Sequence, residues 1–206
     1  MSPLYNRLSV FYDLLFSSSL DDARKRAIDA LQIQESTKVI EFGVGTGLSL
    51  YHFPKSFTGF TGIDISEKML QKCAARADDL QMNVNIQLMD CEHTTFESET
   101  FDYVILMYVY SVTKDPHQII KEAFRLCKNT GTVVIVNHFS EVKNSRPNVV
   151  EYLLSYFESF IGFKSKFPFK EYITDKHLVI KSIFSANLFS VTKVILLEKC
   201  NNMHLV

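Results

Sequence analysis

The sequence has little of what marks secreted, metal-binding or membrane-spanning proteins. Its four cysteines are widely scattered without a CxxC pair, and its six histidines show no metal-ligand spacing such as HExxH. These absences argue against a disulfide framework, a redox pair and a structural metal. No apolar run approaches the ~18 residues of a membrane span, and the N-terminal segment lacks the basic and then apolar order of a signal peptide. The sequence thus predicts a metal-free protein that is cytoplasmic or peripheral on the inner face of a membrane.

An excess of either charge is also missing. The chain has 22 basic and 23 acidic residues among 206, a net charge of −1. No global field therefore attracts nucleic acid, and any attraction to an anionic membrane surface must be local. The length predicts one domain over residues 1–206, and the 47% hydrophobic content is enough for a substantial core.

From residue 38 onward, short β-rich runs alternate with helical runs. Strands are predicted at 38–42, 60–65, 84–90, 101–109, 132–138 and 191–199, and helices near 47–53, 66–79 and 115–128. Strands separated by helices favour right-handed βαβ units and a parallel sheet. Helical patterns over 4–16 and 17–33 predict an N-terminal lid within residues 1–35, and the aromatic stretch within 140–180 is expected to be an insertion over the active-site edge.

Glycine is sparse, yet three of the seven glycines, Gly43, Gly45 and Gly47, lie in one short loop. The loop follows an apolar run that carries Glu41 and precedes a helical run, an order that brings backbone N–H groups close to a ligand. The G-x-G-x-G spacing is one residue shorter than the dinucleotide fingerprint, and no phosphate-loop GK[ST] is present. Glu41 would repel a pyrophosphate but would suit a cationic group such as the ammonium of an amino acid.

Two further acids end the next two predicted strands. Asp64 follows the glycine loop at about the spacing, roughly 20 residues, at which an acid hydrogen-bonds ribose hydroxyls. Asp90 could accept a hydrogen bond from an exocyclic amine, while Met89 or Cys91 supplies apolar contact to a base. Acids at three successive strand ends, in register with the glycine loop, favour a nucleoside that carries an amino acid and no phosphate. S-adenosylmethionine fits that description.

With these residues, the chain resembles the class I S-adenosylmethionine-dependent methyltransferases. VIEFGVGTG resembles their first motif, GIDIS the second, MD the adenine contact and FDYVILMYV the fourth-strand motif, over about residues 36–138. The resemblance implies a Rossmann-like α/β fold with a seven-stranded, mostly parallel sheet, the last strand antiparallel and helices on both faces. It implies S-adenosylmethionine as cofactor and S-adenosylhomocysteine as product, and it adds Ile65 and Met107 to the cofactor-binding residues.

Three outlying stretches narrow the resemblance to the soluble bacterial phosphatidylethanolamine N-methyltransferases. They are YNRLSVFYDLLF (5–16), MYVYSVTKDP (107–116) and VIVNHF (134–139), and GFKSKFPF (162–169) is also similar to that family. The chain departs from the family in having Ser9 where small apolar residues are common, and in lacking a basic overall charge. The resemblance implies methyl transfer to the amine headgroup of a phospholipid at a membrane surface.

Catalytic roles follow from the same matched stretches. His138 is the candidate base or ligand of the headgroup phosphate, and Asn137 could hydrogen-bond the headgroup. Tyr12 and Tyr108 could face a quaternary ammonium product, since aromatic rings attract cations. Tyr110 is expected to share one side of the fourth strand's end with Tyr108, although ordinary packing explains it equally well.

Other functions stay open. The methyl acceptor could instead be a soluble small molecule or a quinone, or the chain could bind the cofactor without turnover. The helix at 4–16 and the segment around 157–170 combine apolar and basic residues that suit a membrane surface, but each could equally pack in the core. Nucleic-acid methylation is disfavoured, because the chain has neither a basic stripe nor an NPPY-type tetrad after the fourth strand.

Overall fold

The computed structural model describes residues 20–110, 112–138, 178–185 and 192–199. Seven strands form one sheet: β1 (Val39–Phe42), β2 (Phe60–Asp64), β3 (Asn85–Leu88), β4 (Phe101–Met107), β5 (Cys127–His138), β6 (Leu178–Ser185) and β7 (Thr192–Lys199). Their order across the sheet is β3-β2-β1-β4-β5-β7-β6. The first five strands pair in parallel, and β7 runs antiparallel to both of its neighbours, β5 and β6. The predicted Rossmann-like sheet with an antiparallel last strand is therefore confirmed.

Helices pack on both faces of this sheet because its central strands are apolar on both sides. The described helices are α1 (residues 20–29), α2 (Glu67–Leu80) and α3 (Pro116–Leu126), with a 3-10 turn at Leu48–His52. Successive residues of β4 alternate between two cores: Ile105 packs with α1 and α2, whereas Val104 and Leu106 pack with α3. All three are fully buried, as expected for a strand covered on both faces.

Local capping sets where the two central helices begin. Asp115 is the N-cap of α3, and its side chain accepts hydrogen bonds from the backbone N–H groups of His117 (3.0 Å) and Gln118 (3.1 Å). Pro116 follows as the first helical residue, where its missing N–H has no cost. Ser66 caps α2 in the same way, accepting from Met69 N. Both starts agree with the sequence prediction to within one residue.

Some predicted bounds are wrong for identifiable reasons. The predicted helix at 115–128 ends at Leu126, because Cys127 already has extended backbone angles and starts β5. The predicted helix at 47–53 is a five-residue 3-10 turn. The resemblance implied a seventh strand without a position for it; this strand is β6, which begins inside the predicted insertion at 140–180. A register shift between Ile180 and Ser182 interrupts its alternation, and several of its apolar side chains are nearly half exposed, so the sequence shows no two-residue period there.

The remaining N-terminal and insertion predictions lie mostly outside the described residues. Of the predicted helix at 17–33, residues 20–29 are helical. The helix expected at 4–16, with Tyr12, and the stretch 139–177 lie outside the described part of the chain. Within the described residues, no helix is long and apolar enough to cross a membrane.

Candidate active site

The glycine loop joins β1 to the 3-10 turn with a backbone that ordinary residues avoid. Gly43, Gly45 and Gly47 have φ angles of 64°, 56° and 73°, in the left-handed region that favours glycine. Two of them also lack room for a side chain. A Cβ on Gly43 would lie 2.7 Å from Cγ2 of Val109, and one on Gly47 would lie 2.6 Å from Sγ of Cys73. The loop is therefore packed tightly between the end of β4 and helix α2.

Glu41 lies behind the loop in a buried position. Its side chain is only 3% exposed, and its carboxylate accepts a hydrogen bond from the Ser49 hydroxyl. Burial raises the pKa of Glu41 to about 7, against the opposing effects of the Ser49 hydrogen bond and the positive charge of Arg24. Near neutral pH the acid is thus divided between its neutral and charged forms, and a nearby ammonium group would stabilise the charged form.

Asp64 connects the glycine loop to the start of α2. Its Oδ2 accepts a hydrogen bond from the backbone N–H of Gly45 (2.9 Å), and its Oδ1 accepts one from the N–H of Ser66 (2.8 Å). A carboxylate has about four lone-pair sites, so the side chain keeps capacity for hydroxyl donors. The residue predicted to bind a ribose therefore also shapes the loop.

A cavity of about 380 Å³ opens at the carboxyl ends of the strands. Seven of the ten predicted cofactor residues line it, namely Gly43, Asp64, Ile65, Met89, Asp90, Cys91 and Met107, together with Tyr108. The other three predicted residues, Glu41, Gly45 and Gly47, are not among its lining residues, although Gly45 donates its backbone N–H to Asp64. Sequence reasoning missed the further lining residues Glu92, Val109, Val112, Thr113 and Lys114. Four of them lie in the family-like stretch 107–116, but the resemblance assigned no cofactor role to those four residues.

The wall next to β3 combines one acid with apolar surface. Asp90 is exposed, and its Oδ1 accepts the N–H of Glu92 at 2.9 Å. Met89 donates its backbone N–H to the carbonyl of Asp64 at 3.0 Å. Burial raises the pKa of the Cys91 thiol to about 12, so Cys91 stays neutral and presents an apolar surface. Ile65, with 73% of its surface exposed, adds a second apolar surface.

Tyr108 directly follows β4 in a strained conformation, with φ at 61°, which is rare for a bulky residue. Its backbone N–H donates to the carbonyl of Val136 (2.8 Å), and its hydroxyl donates to the carbonyl of Leu20 in α1 (3.1 Å). The guanidinium of Arg24 lies 5.1 Å from the ring centroid. Burial raises the pKa of Tyr108 above its ordinary value, so the phenol stays protonated. The residue attaches α1 to the cavity wall.

This backbone turn overturns one expectation. Tyr108 and Tyr110 do not share one side of the strand's end, because β4 ends at Met107 and the left-handed residue breaks the alternation. Tyr108 packs with the core on the α1 and α2 side, whereas Tyr110 is fully buried in the core beside α3. Tyr110 is therefore a core residue.

Asn137 and His138 end β5, beside the end of β4. Met107 pairs with Val136, and the next two residues of β5 pair with Lys193 and Thr192 of β7. Asn137 is fully buried. The strand register thus brings the two residues of the NHF stretch to the edge of the sheet that carries the cavity.

The loop between β3 and β4 is held by a network around Glu122 of α3. Its Oε1 accepts hydrogen bonds from the backbone N–H (2.9 Å) and hydroxyl (2.5 Å) of Thr94, and from Arg125 Nη2 (2.7 Å). Arg125 also donates to the carbonyl of Phe96 (2.8 Å). Although burial opposes it, hydrogen bonding from Arg125 and Thr94 lowers the pKa of Glu122 to about 2. The network fixes the segment that follows Asp90.

Comparisons with known proteins identify the family. Residues 40–135 match the family described as a methyltransferase domain. The fold matches the Streptomyces coelicolor A3(2) geranyl diphosphate C-methyltransferase, solved with S-adenosyl-L-homocysteine, at a TM-score of 0.69 and 16% identity, covering 85% of this chain and 76% of that one. The sequence is 32% identical to the phosphatidylethanolamine N-methyltransferase of Cereibacter sphaeroides, covering 87% of this chain and 88% of that protein. The chain belongs to the class I S-adenosylmethionine-dependent methyltransferases.

A second group of relatives acts on quinones by name. The methyltransferase is 28% identical to the ubiquinone biosynthesis O-methyltransferase of Coxiella burnetii over 54% of this chain, and it spans about half of that relative, 48% of its length. The methyl acceptors that the names of these relatives give therefore differ.

The residues of the methyltransferase fit the cofactor S-adenosylmethionine. The cavity offers carboxylates at Asp64 and Asp90, apolar surface at Ile65, and a close backbone approach at Gly43, where a Cβ would collide with Val109. We assign the ribose hydroxyls to Asp64, the adenine amine to Asp90 and the ammonium group to the side of Glu41 as proposals. Among the described residues, no cluster of three or more histidine, cysteine or acidic side chains is arranged to hold a metal.

Proposed function

We propose that this methyltransferase transfers a methyl group from S-adenosylmethionine to the amine of phosphatidylethanolamine, the first step of phospholipid N-methylation toward phosphatidylcholine. The supporting observation is the 32% identity to a phosphatidylethanolamine N-methyltransferase along 87% of this chain and 88% of that protein. The quinone methyltransferases are less similar in sequence: the O-methyltransferase is 28% identical over 54% of this chain, and a ubiquinone/menaquinone biosynthesis C-methyltransferase is 26% identical over 84% of it. The higher identity therefore favours the phospholipid acceptor, and we propose that the parts of the chain outside the cofactor fold choose it.

The chemistry needs a neutral amine in line with the sulfonium methyl. The cofactor supplies an activated methyl group, so the protein contributes mainly positioning, exclusion of water and removal of a proton. The amine nitrogen forms a bond to the methyl carbon, the carbon–sulfur bond breaks, and S-adenosylhomocysteine leaves with the electron pair. The ammonium form must lose a proton before attack, and we propose His138 as the base that takes it.

The strand register supports this acceptor position. The carbonyl of Val136 accepts the N–H of Tyr108, so Asn137 and His138 follow beside the residue that lines the cavity. We propose that the acceptor amine enters between the ends of β4 and β5, with Asn137 hydrogen-bonding the headgroup. Tyr12 and Tyr108 would contact the methylated nitrogen, although Arg24 already lies over the Tyr108 ring.

A lipid acceptor requires contact with a membrane. We propose that the enzyme is cytoplasmic and binds peripherally to an anionic inner membrane surface. The helix predicted at 4–16 and the segment around 157–170 would supply apolar and basic groups. Local contact suffices, because the net charge of −1 provides no long-range attraction.

The test uses purified enzyme, methyl-labelled S-adenosylmethionine and liposomes of phosphatidylcholine with or without phosphatidylethanolamine. We expect label in the methylated headgroup of phosphatidylethanolamine liposomes alone, and co-flotation of the enzyme with liposomes that carry anionic lipid. Absence of label from these lipids, with label transferred to a quinone or a soluble amine, would contradict the proposal and favour a small-molecule acceptor.

Substitution of the proposed base refines this test. A general base raises the rate of a reaction by about 10²–10⁴-fold, so H138A should lower kcat by about 10²-fold at neutral pH. The decrease in kcat should be smaller at high pH, because more of the amine is already neutral there. H117A, which removes an exposed histidine of α3, is the matched control and should keep wild-type kcat. An H138A enzyme with normal kcat across the pH range would remove His138 from the mechanism.

A further inference from the structure

Two walls of the cofactor cavity come from segments far apart in sequence. One wall is the segment 89–92 after β3, and the other is the segment 112–114 after β4. Neither segment is part of a helix or strand, so regular backbone bonding does not fix the distance between them. Glu92 belongs to the first wall and contacts the second.

The side chain of Glu92 binds the second wall with one oxygen. Its Oε1 accepts hydrogen bonds from the hydroxyl of Thr113, from the backbone N–H of Lys114 at 3.0 Å and from the backbone N–H of Asp115 at 3.2 Å. These three donors are consecutive, and the last of them is the N-cap of α3. The carboxylate therefore holds the whole turn that carries Thr113 and Lys114.

The backbone of Glu92 binds the first wall and the helix. Its N–H donates to Oδ1 of Asp90 at 2.9 Å, and its carbonyl accepts from Nε2 of Gln118 at 2.8 Å. The hydrogen bond from Thr113 is the main cause of a lowered pKa of Glu92, so the side chain stays an anion at neutral pH. Hydrogen bonds to an anion are stronger than those between neutral groups.

We propose that Glu92 is a positioning residue that holds the segment 112–114 at a fixed distance from Asp90, so that the adenine part of the cofactor meets a preformed cavity. This inference rests on the cofactor and on the proposed adenine position at Asp90, and it is independent of the methyl acceptor. A wall that is ordered before binding spares the ligand the cost of ordering it. Without the carboxylate, the free protein would have to order the turn again each time the cofactor binds.

The test measures the affinity of S-adenosylhomocysteine by calorimetry, without any acceptor, together with the melting temperature of each unliganded variant. E92A should raise Kd about tenfold, equivalent to 1.4 kcal/mol. E92Q and T113V should have smaller effects, because E92Q keeps an oxygen acceptor and T113V removes one donor of three. E97A, at an exposed glutamate in the same inter-strand segment, is the matched control and should bind like the wild type.

A merely structural role would give a different pattern. E92A would then melt at a lower temperature while its folded form bound S-adenosylhomocysteine with wild-type affinity, and that result would overturn the proposal. If E92A does not fold, E92Q and T113V decide the matter, since wild-type affinity in both would equally overturn it. Because no acceptor is present, these outcomes are distinct from a failure of phosphatidylethanolamine methylation.

Discussion

Alanine at Gly43 should damage the cofactor site much more than alanine at Gly45, although the two residues have similar backbone angles. Their φ values are 64° and 56°, so both substitutions place a side chain in the left-handed region. The surroundings differ. A Cβ on Gly43 would lie 2.7 Å from Cγ2 and 3.0 Å from Cβ of Val109, whereas a Cβ on Gly45 would approach only the carbonyl oxygen of Gly43, at 3.9 Å.

The expected losses of unfolding free energy follow from the left-handed backbone and from the steric contact with Val109. A left-handed alanine costs about 1–2 kcal/mol, and forcing extra volume into a packed site costs about 1–3 kcal/mol more. G45A should therefore lose about 1–2 kcal/mol of unfolding free energy and G43A about 2–5 kcal/mol. At about 2–4 °C per kcal/mol for a domain of this size, the melting temperature should fall by about 2–8 °C for G45A and about 4–20 °C for G43A.

A double-mutant cycle with V109A tests the steric term. Truncating Val109 removes the nearest atom, so V109A should recover part of the stability lost in G43A and none of that lost in G45A, with a coupling energy of at least about 1 kcal/mol. Melting curves give the stabilities, and calorimetry with S-adenosylhomocysteine gives the affinities, since Gly43 and Val109 both line the cavity. Equal melting temperatures for the two glycine variants, or a coupling energy near zero, would refute the reasoning.

Three further predictions concern acids. The pKa of Glu41 is raised from 4.5 to about 7, so the folded state binds more protons than the unfolded state between these values and loses stability as the pH rises through that window. E41Q cannot ionise, so the melting temperature of E41Q minus that of the wild type should be larger at pH 8 than at pH 5. The same difference at both pH values would contradict this. D64N should raise the Kd of S-adenosylhomocysteine about 10- to 100-fold, as expected when hydrogen bonds to a charged group are lost, whereas D79N, at an exposed acid on α2, should leave it unchanged. E122Q should lose about 2–3 kcal/mol, less than the 3–5 kcal/mol of a fully buried pair, because the Arg125 side chain is 34% exposed. The stabilising contribution of Glu122 should be present above pH 4.5 and disappear as pH falls toward about 2, so acid denaturation curves of the wild type and E122Q should converge there.

Much of the cofactor cavity could be predicted from the sequence, because its residues follow strand ends. Gly43, Asp64 and Asp90 each come directly after or at the end of an apolar run, and parallel strands bring those ends to one edge of the sheet. The start of α3 could likewise be predicted from Asp115 and Pro116, since capping depends only on neighbouring residues. These features are local in sequence, and they already pointed to S-adenosylmethionine before the family resemblance supported it.

The contacts that complete the site depend on packing between distant segments. The hydroxyl of Tyr108 donates to the carbonyl of Leu20, 88 residues away in the chain. Arg24 lies over the Tyr108 ring, and no sequence motif predicts this contact. Glu92 reaches the turn after β4 only because β3 and α3 place the two segments together. The sequence by itself determined which edge of the sheet binds the cofactor, through residue type and spacing at strand ends. Tertiary structure decided which side chains close that edge, because such contacts arise only once the sheet and its helices have packed.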